Sequence, residues 1–325
     1  MRKSRHCYDF ESFICAICGL IGRSFSMLFV SGGYQVSVYD VEPAQNAVAK
    51  DDIWSQLNKL EEQGLLRGSL SKEQQFANIT YTEDLAECVN GAFFIQECIP
   101  ERLELKKSVF AKIEKVMSPD AIMSSSTSAL MPSLISGDLT HKNRFVVTHP
   151  TNPPFYAPAT EVVPASWTDA DVIEKTVALL KEIGQAPVLL KKEINGFVLN
   201  RIQYAILAET WNLIRDGIVS PEDCDVIMSQ GLGMRYAFMG PWETAYLNAD
   251  GLHSYSDRYA DMIYGIQKDF LPPEKIGGET LDVIQRGMEN VAGPVENLEQ
   301  RRQWRDRRLV ALAKLKAGMN KEEAK

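Results

Sequence analysis

A chain of 325 residues, 45% hydrophobic and 24% charged, is long for one hydrophobic core and the right size for two folded domains. Its formal net charge of −8 argues against a nucleic-acid partner, because such binding rests on basic groups meeting phosphates. Six sparse cysteines are too few for a disulfide scaffold and fit a reducing compartment, the cytoplasm.

Arg2, Lys3 and Arg5 precede an apolar run from Phe13 to Ile21, which superficially reads as a secretory leader. Asp9 and Glu11 lie between, and Gly19, Gly22, Arg23 and Ser24 break the run well short of the roughly 20 apolar residues of a membrane span. A buried first strand, Phe13–Cys18, explains it better, and no membrane segment is expected. Cys15 and Cys18 have the spacing of a redox pair or half a zinc site. Without a second pair of ligands, and among apolar neighbours, they read as reduced core cysteines, and no metal is expected.

After Gly19-Leu20-Ile21-Gly22, Phe25, Leu28 and Phe29 recur at helical spacing, and Gly32-Gly33 ends that helix. Tyr34–Asp40 then alternates apolar and polar residues and ends in an acid. Asp40 stands 18 residues after Gly22, close to the roughly 20 between a dinucleotide-binding turn and the carboxylate that takes the adenine ribose hydroxyls. An acid there repels a 2′-phosphate, so NAD is expected rather than NADP. The Gly-x-Gly-x-x-Gly pattern, laid on Ile17–Gly22, puts isoleucine where its first glycine belongs. A β-branched residue in a sharp turn is expected to cost on the order of 1–3 kcal/mol in NAD binding.

Pro43–Gly64 reads as a helix with Ile53, Leu57 and Leu60 on one face, and Arg67–Gln75 as a polar connector. Gly91–Cys98 is a buried strand. Pro100 opens a helix with Leu103, Phe110, Ile113 and Met117 inward and Glu101, Lys106 and Lys107 near its first turns. Ala121–Ser125, Arg144–Thr148 and Pro187–Leu190 add strands. Beyond Gly196 only helices are expected: Phe197–Asp216 with Ile202, Ile206, Glu209 and Leu213 on one stripe, one capped at Ser220 and ending at Gly231, one opening at Gly240-Pro241-Trp242, and a terminal one at Leu298–Lys316. The fold class is therefore α/β: a Rossmann-type, doubly wound, mainly parallel sheet in residues 1–194, then an all-α domain in 195–325. Arg301–Arg308 reads as the solvated face of the last helix rather than an anion site.

Chemistry concentrates at Arg144–Asn152, where an apolar strand stops at His149 and turn residues follow. Of the four histidines, His149 alone has such a scaffold. Twelve positions on, Glu161 is a single carboxylate in the β-branched run Ala159–Val163. A buried acid wants a partner, and paired with His149 it would fix the imidazole tautomer and stabilise the imidazolium of a general base. On these two residues alone, a histidine capping a strand and an acid at a rim read equally well. Ser124–Ser128 supplies hydroxyls after a strand, and Asn200 is one polar group on an apolar helix face.

Taken together, Asp40, Ser-Thr-Ser128-Ala-Leu, His149-Pro-Thr-Asn152-Pro, Glu161-Val-Val, Gly-Phe-Val-Leu-Asn200-Arg and Gly-Pro-Trp-Glu243 resemble the 3-hydroxyacyl-CoA dehydrogenase family over residues 13–250. That resemblance implies a dimeric, NAD-dependent, two-domain enzyme. It makes His149 the base paired with Glu161, has Ser128 and Asn200 hold the substrate oxygen, and puts Glu101 and Lys106 with Asp40 and Gly19–Gly22 on the cofactor. Within the family, His149–Tyr156, Gly231–Pro241 and Arg301–Asp306 resemble members that oxidise a small free 3-hydroxy acid, L-gulonate. Asn152 and Arg235 then fall to the substrate, Arg235 as a fork for its carboxylate. A 3-hydroxyacyl-CoA dehydrogenase and a non-catalytic structural protein are the alternatives.

Overall fold

The computed structural model describes residues 13–17 and 19–323. Residues 1–12 and Cys18, and with them the leader question and the Cys15–Cys18 pairing, lie outside the described residues.

Eight strands form one sheet: β1 (Phe13–Ile17), β2 (Gln35–Tyr39), β3 (Ile79–Thr82), β4 (Ala92–Glu97), β5 (Ile122–Ser125), β6 (Phe145–Pro150), β7 (Ala159–Pro164) and β8 (Ala186–Leu189). Their order is β3-β2-β1-β4-β5-β6-β7-β8. The first six run parallel in the order of a doubly wound dinucleotide fold, while β7 runs antiparallel to β6 and parallel to β8. Alternate residues of the strands go to opposite faces. Phe94, Ile122, Val146 and Val162 join one core with Phe25, Phe29, Ile53 and Leu179 of helices Leu20–Ser31, Pro43–Glu62 and Ala170–Glu182. Ile95, Met123, Val147 and Val163 join the other with Phe110, Ile113 and Ile135 of helices Leu103–Ile113 and Pro132–Ser136. A sheet covered on both faces needs near-continuous apolar strands, which is why these runs stood out in the sequence.

The contacts divide the chain into two units. One runs to Asn200 and takes in the end of the chain from Arg308; the other is Arg201–Arg307. The contacts thus divide at 200/201, a little beyond the boundary expected from the sequence at 194/195. The amide of Leu199 and the side chain of Asn200 bond to Glu161 and to the Ser128 carbonyl of the sheet unit, and these bonds bring the start of helix Leu199–Arg215 into it.

Several expected elements differ in detail. Ile17 is the last residue of β1, in register with Tyr39 and Glu97, so its backbone is extended, where a β-branched residue is at home. The backbone strain expected of it does not arise. The supposed connector at Arg67–Gln75 contains a helix, Lys72–Ala77, held by a capping box between Ser71 and Gln74. The helix expected from Pro100 begins at Leu103. The helix that starts at Ser220 does not stop at Gly231: it continues through a π-helical turn, Ile227–Leu232, into Gly233–Tyr236. On Leu199–Arg215, Trp211 and Asn212 are buried while Ile202 is exposed. Helices Leu252–Gln267, Gly278–Ala292 and Leu298–Glu323 complete the chain.

Candidate active site

Because β1 to β6 are parallel, their carboxyl ends share one edge of the sheet. The turn at Gly19, Asp40, Glu97, the Ser124–Ser128 run and His149 all follow or end such strands. The chain reverses its winding direction between β1 and β4, and the crevice outside such a reversal is where open α/β sheets bind ligands.

His149 and Glu161 face each other directly across the antiparallel β6/β7 pair. His149 is 5% exposed and Glu161 4%, and Nδ1 lies 2.8 Å from Glu161 Oε2. The other carboxylate oxygen, Oε1, accepts the amides of Val198 at 2.7 Å and Leu199 at 3.0 Å. Burial would raise the Glu161 carboxyl, but the bonds from His149, Leu199 and Val198 outweigh it and hold the group below the usual carboxylate range. An ionised Glu161 only accepts, so in the neutral imidazole Nδ1 carries the proton and Nε2 the lone pair. Among the described residues Nε2 has no partner.

The two amides are aimed by an unusual piece of backbone. Gly196 and Phe197 both take positive φ, 76° and 51°, and Phe197 is the non-glycine that does so among the described residues. A bulky residue in that region costs about 1–3 kcal/mol, and such strain collects at functional sites. Phe197 is fully buried, with its ring 5.7 Å from the His149 imidazole. The turn thus seats the helix N-terminus on Glu161 and packs the ring that confines the base. Between the two partners, residues 151–158 are held by Arg67, which donates to the Phe155 carbonyl and lies 4.6 Å over the Phe155 ring.

Ser128 is exposed in the loop after β5, and its carbonyl accepts Asn200 Nδ2 at 2.7 Å. His149, Glu161, the start of helix Leu199–Arg215, Asn200 and Ser128 are therefore joined by one chain of contacts. Asn152 is exposed on the turn after β6, preceding a cis bond to Pro153. Arg235 belongs to the helical unit. It is exposed, its side chain has no hydrogen-bonding or ionic partner among the described residues, and it lines a cavity of about 360 Å³ with Tyr236, Trp242, Asn248 and Tyr255.

The residues expected on the cofactor fit a dinucleotide at one end and depart at the other. A Cβ built on Gly19 would stand 2.4 Å from the Cys98 carbonyl oxygen, so only glycine lets the turn lie this close to the end of β4. Helix Leu20–Ser31 begins there with no side chain capping its first amides, leaving Leu20, Ile21 and Gly22 to meet an anion. Asp40 follows β2 and accepts the Glu42 amide through one oxygen at 2.9 Å. Lys106, by contrast, is turned inward: it is 1% exposed. Its ammonium donates to Glu97 Oε1 at 2.8 Å, Glu97 Oε2 at 3.1 Å and the Ile99 carbonyl at 3.1 Å, with Glu101 at 3.4 Å. A lysine has three N–H donors, and none is left for a ligand. Glu101 accepts the Thr127 hydroxyl and the amides of Ser128 at 2.9 Å and Ala129 at 3.2 Å. Sequence reasoning missed Glu97, Phe197 and the paired amides. The signal for Glu97 was a lone acid ending an apolar strand, the same that marked Glu161.

A doubly wound parallel sheet, a glycine turn opening a bare helix N-terminus, and a buried histidine–carboxylate pair at the carboxyl edge define an NAD-dependent oxidoreductase. Residues 15–194 match the NAD-binding domain of 3-hydroxyacyl-CoA dehydrogenase and residues 196–282 its C-terminal domain; the chain belongs to the 3-hydroxyacyl-CoA dehydrogenase family. It is 48% identical over 302 residues to the lambda-crystallin homolog of Rattus norvegicus, covering 93% of this chain and 95% of the rat protein. L-carnitine dehydrogenase of a Pseudomonas species is 29% identical over 321 residues, 96% of this chain and 98% of that one. Among solved structures, 5-formyl-3-hydroxy-2-methylpyridine 4-carboxylic acid 5-dehydrogenase, an NAD⁺-dependent dismutase, superposes with a TM-score of 0.78 at 26% identity, covering 94% of this chain and 97% of that one.

Proposed function

We propose that this chain oxidises the 3-hydroxyl of a small free 3-hydroxy acid, L-gulonate foremost, to the 3-oxo acid, with His149 as general base. The observation that carries the reading is the 2.8 Å contact from His149 Nδ1 to a carboxylate whose other oxygen is held by two amides. Nε2 takes the hydroxyl proton, and Glu161 stabilises the imidazolium that forms. Asn200 and Ser128 hold the substrate oxygen as its bond order rises, and Arg235 takes the carboxylate. NAD, when bound at Gly19–Gly22 and Asp40, supplies the acceptor for the hydride leaving the same carbon.

The preference for a free acid is supported by relatives whose names carry small acids, L-carnitine and a pyridine carboxylic acid, and by the likeness to lambda-crystallin, which the sequence motifs ally with L-gulonate oxidation. The acyl-CoA alternative rests on the family's description. The reading further includes a homodimer formed through the helical unit, supported by its exposed Trp242, Ile227, Met234 and Tyr264. It places the protein in the cytoplasm, where the buried thiols of Cys88, Cys98 and Cys224 stay reduced. The test is NADH formation with L-gulonate and with a 3-hydroxyacyl-CoA side by side. A higher kcat/KM for L-gulonate is expected, and a preference for the thioester would overturn the assignment.

A further inference from the structure

Glu97 ends β4 at the winding reversal and is fully buried. Three donors make four hydrogen bonds to its two oxygens: Lys106 reaches both, the Ile99 amide reaches Oε1 at 2.6 Å, and the Ser125 hydroxyl reaches Oε2 at 2.6 Å. Burial pushes this carboxyl up, and Lys106, Ser125 and the Ile99 amide pull against it. Ser125 Oγ in turn accepts the Thr127 amide at 3.2 Å, and the Glu97 carbonyl accepts the Ser126 amide at 2.9 Å and its hydroxyl at 3.0 Å. From the other side Lys106 touches Glu101, which holds the Ser128 and Ala129 amides. Every amide from Ser126 to Leu130 is thereby bonded to Glu97, to Glu101, or to a hydroxyl that one of them fixes, Leu130 through Thr127 Oγ1 at 3.0 Å.

A buried ion pair is weak evidence for stability, because the desolvation of both charges offsets much of their attraction. This pair instead spans the two ends of one functional loop. We infer that Glu97, acting through Lys106, Glu101 and Ser125, is a positioning residue: it sets where the 125–129 loop presents Ser128, and through the Ser128 carbonyl where Asn200 sits. The inference rests on the reading that Ser128 and Asn200 meet the substrate. An unclamped loop would still fold but would sample more than one position for Ser128, and a displacement of about 1 Å at a reacting oxygen costs roughly 10²-fold in rate.

The test uses the full chain with two variants. Glu97→Leu combined with Lys106→Met removes both charges together and strands neither, and Ser125→Ala cuts the path at one hydroxyl while keeping the ion pair. Amide hydrogen exchange, NADH affinity, and kcat and KM for L-gulonate are measured on each, with Ser128→Ala alongside. Ser125→Ala should keep NADH affinity within about threefold, and both variants should speed exchange of the 126–130 amides about tenfold or more while β5 and β6 stay protected, and lower kcat about 10- to 100-fold with KM little changed. A merely structural role would loosen the sheet as a whole and leave kcat per folded site alone. Unchanged protection of the 126–130 amides in either folded variant overturns the inference. The exchange readout needs no substrate, so the two failures separate. Wild-type kcat in Ser128→Ala sinks the reading of Ser128, whereas a slow Ser128→Ala beside fast loop variants sinks the positioning alone.

Discussion

Replacing Gly19 by alanine isolates the cofactor turn from every other part of the site. The backbone there is extended, with φ 167°, so alanine meets no conformational penalty, and the whole effect comes from the new methyl. That methyl would lie 2.4 Å from the Cys98 carbonyl oxygen, where real Cβ atoms essentially never come under 3.0 Å. The neighbour is the backbone of the residue directly after Glu97, which the ladder holds between Ile17 and Ser125, and it cannot rotate away as a side chain would. The turn must therefore lift by about half an ångström or more, at the overpacking cost of roughly 1–3 kcal/mol. If the lift falls on the cofactor-bound state, NADH affinity drops about 5- to 150-fold. His149, Glu161 and Ser128 belong to other strand ends, so kcat at saturating NAD should change little. Calorimetric titration of the folded variant with NADH is the assay. An affinity equal to that of the parent would refute the close-approach argument for Gly19.

Glu161→Gln keeps the shape of the buried side chain but removes the charge that holds the imidazolium. Turnover should fall by roughly 10²–10⁴-fold; wild-type turnover in the folded variant would contradict the pairing. Arg235→Met should raise the KM for L-gulonate about 10- to 100-fold, the size of a lost charge-assisted bond, with NADH affinity intact; an unchanged KM removes Arg235 from the substrate. Asp171, paired with Lys175 and Arg144, is pulled down to about 2 from 3.8. Its contribution is thus present above pH 4 and lost as pH falls toward 2. For so exposed a carboxylate it amounts to roughly 0.2–1 kcal/mol, and the difference in unfolding free energy between wild type and Asp171→Asn should shrink steadily as pH falls from 4 through 2.

Much of this was legible before any coordinates, for identifiable reasons. Parallel strands buried on both faces write themselves as continuous apolar runs, and a parallel sheet must bring their carboxyl ends to one edge, so an acid or histidine ending such a run is placed by topology alone. That logic found Asp40 and His149, and a lone acid inside the apolar run Ala159–Val163 found Glu161. Polar elements were harder. The Lys72–Ala77 helix buries only Gln75 and part of Phe76, too little for a periodic apolar pattern, and only the Ser71–Gln74 capping box announces it. Lys106 shows the limit of pattern: helical spacing places a lysine near a first turn but cannot show whether its ammonium faces solvent or, as here, two carboxylates. The glycine template, laid on the turn, takes in Ile17, whereas that residue closes the strand before it. The left-handed Phe197 left no trace, since nothing in the identity of a phenylalanine signals positive φ.

The decisive measurement is turnover and NADH binding of His149→Gln. A glutamine can still accept or donate at the strand end but cannot carry a proton between pH 5 and 9. NADH affinity and thermal stability should stay near those of the parent while kcat with L-gulonate falls roughly 10²–10⁴-fold at neutral pH. Wild-type turnover in a folded, NADH-binding His149→Gln protein would contradict the assignment of the base.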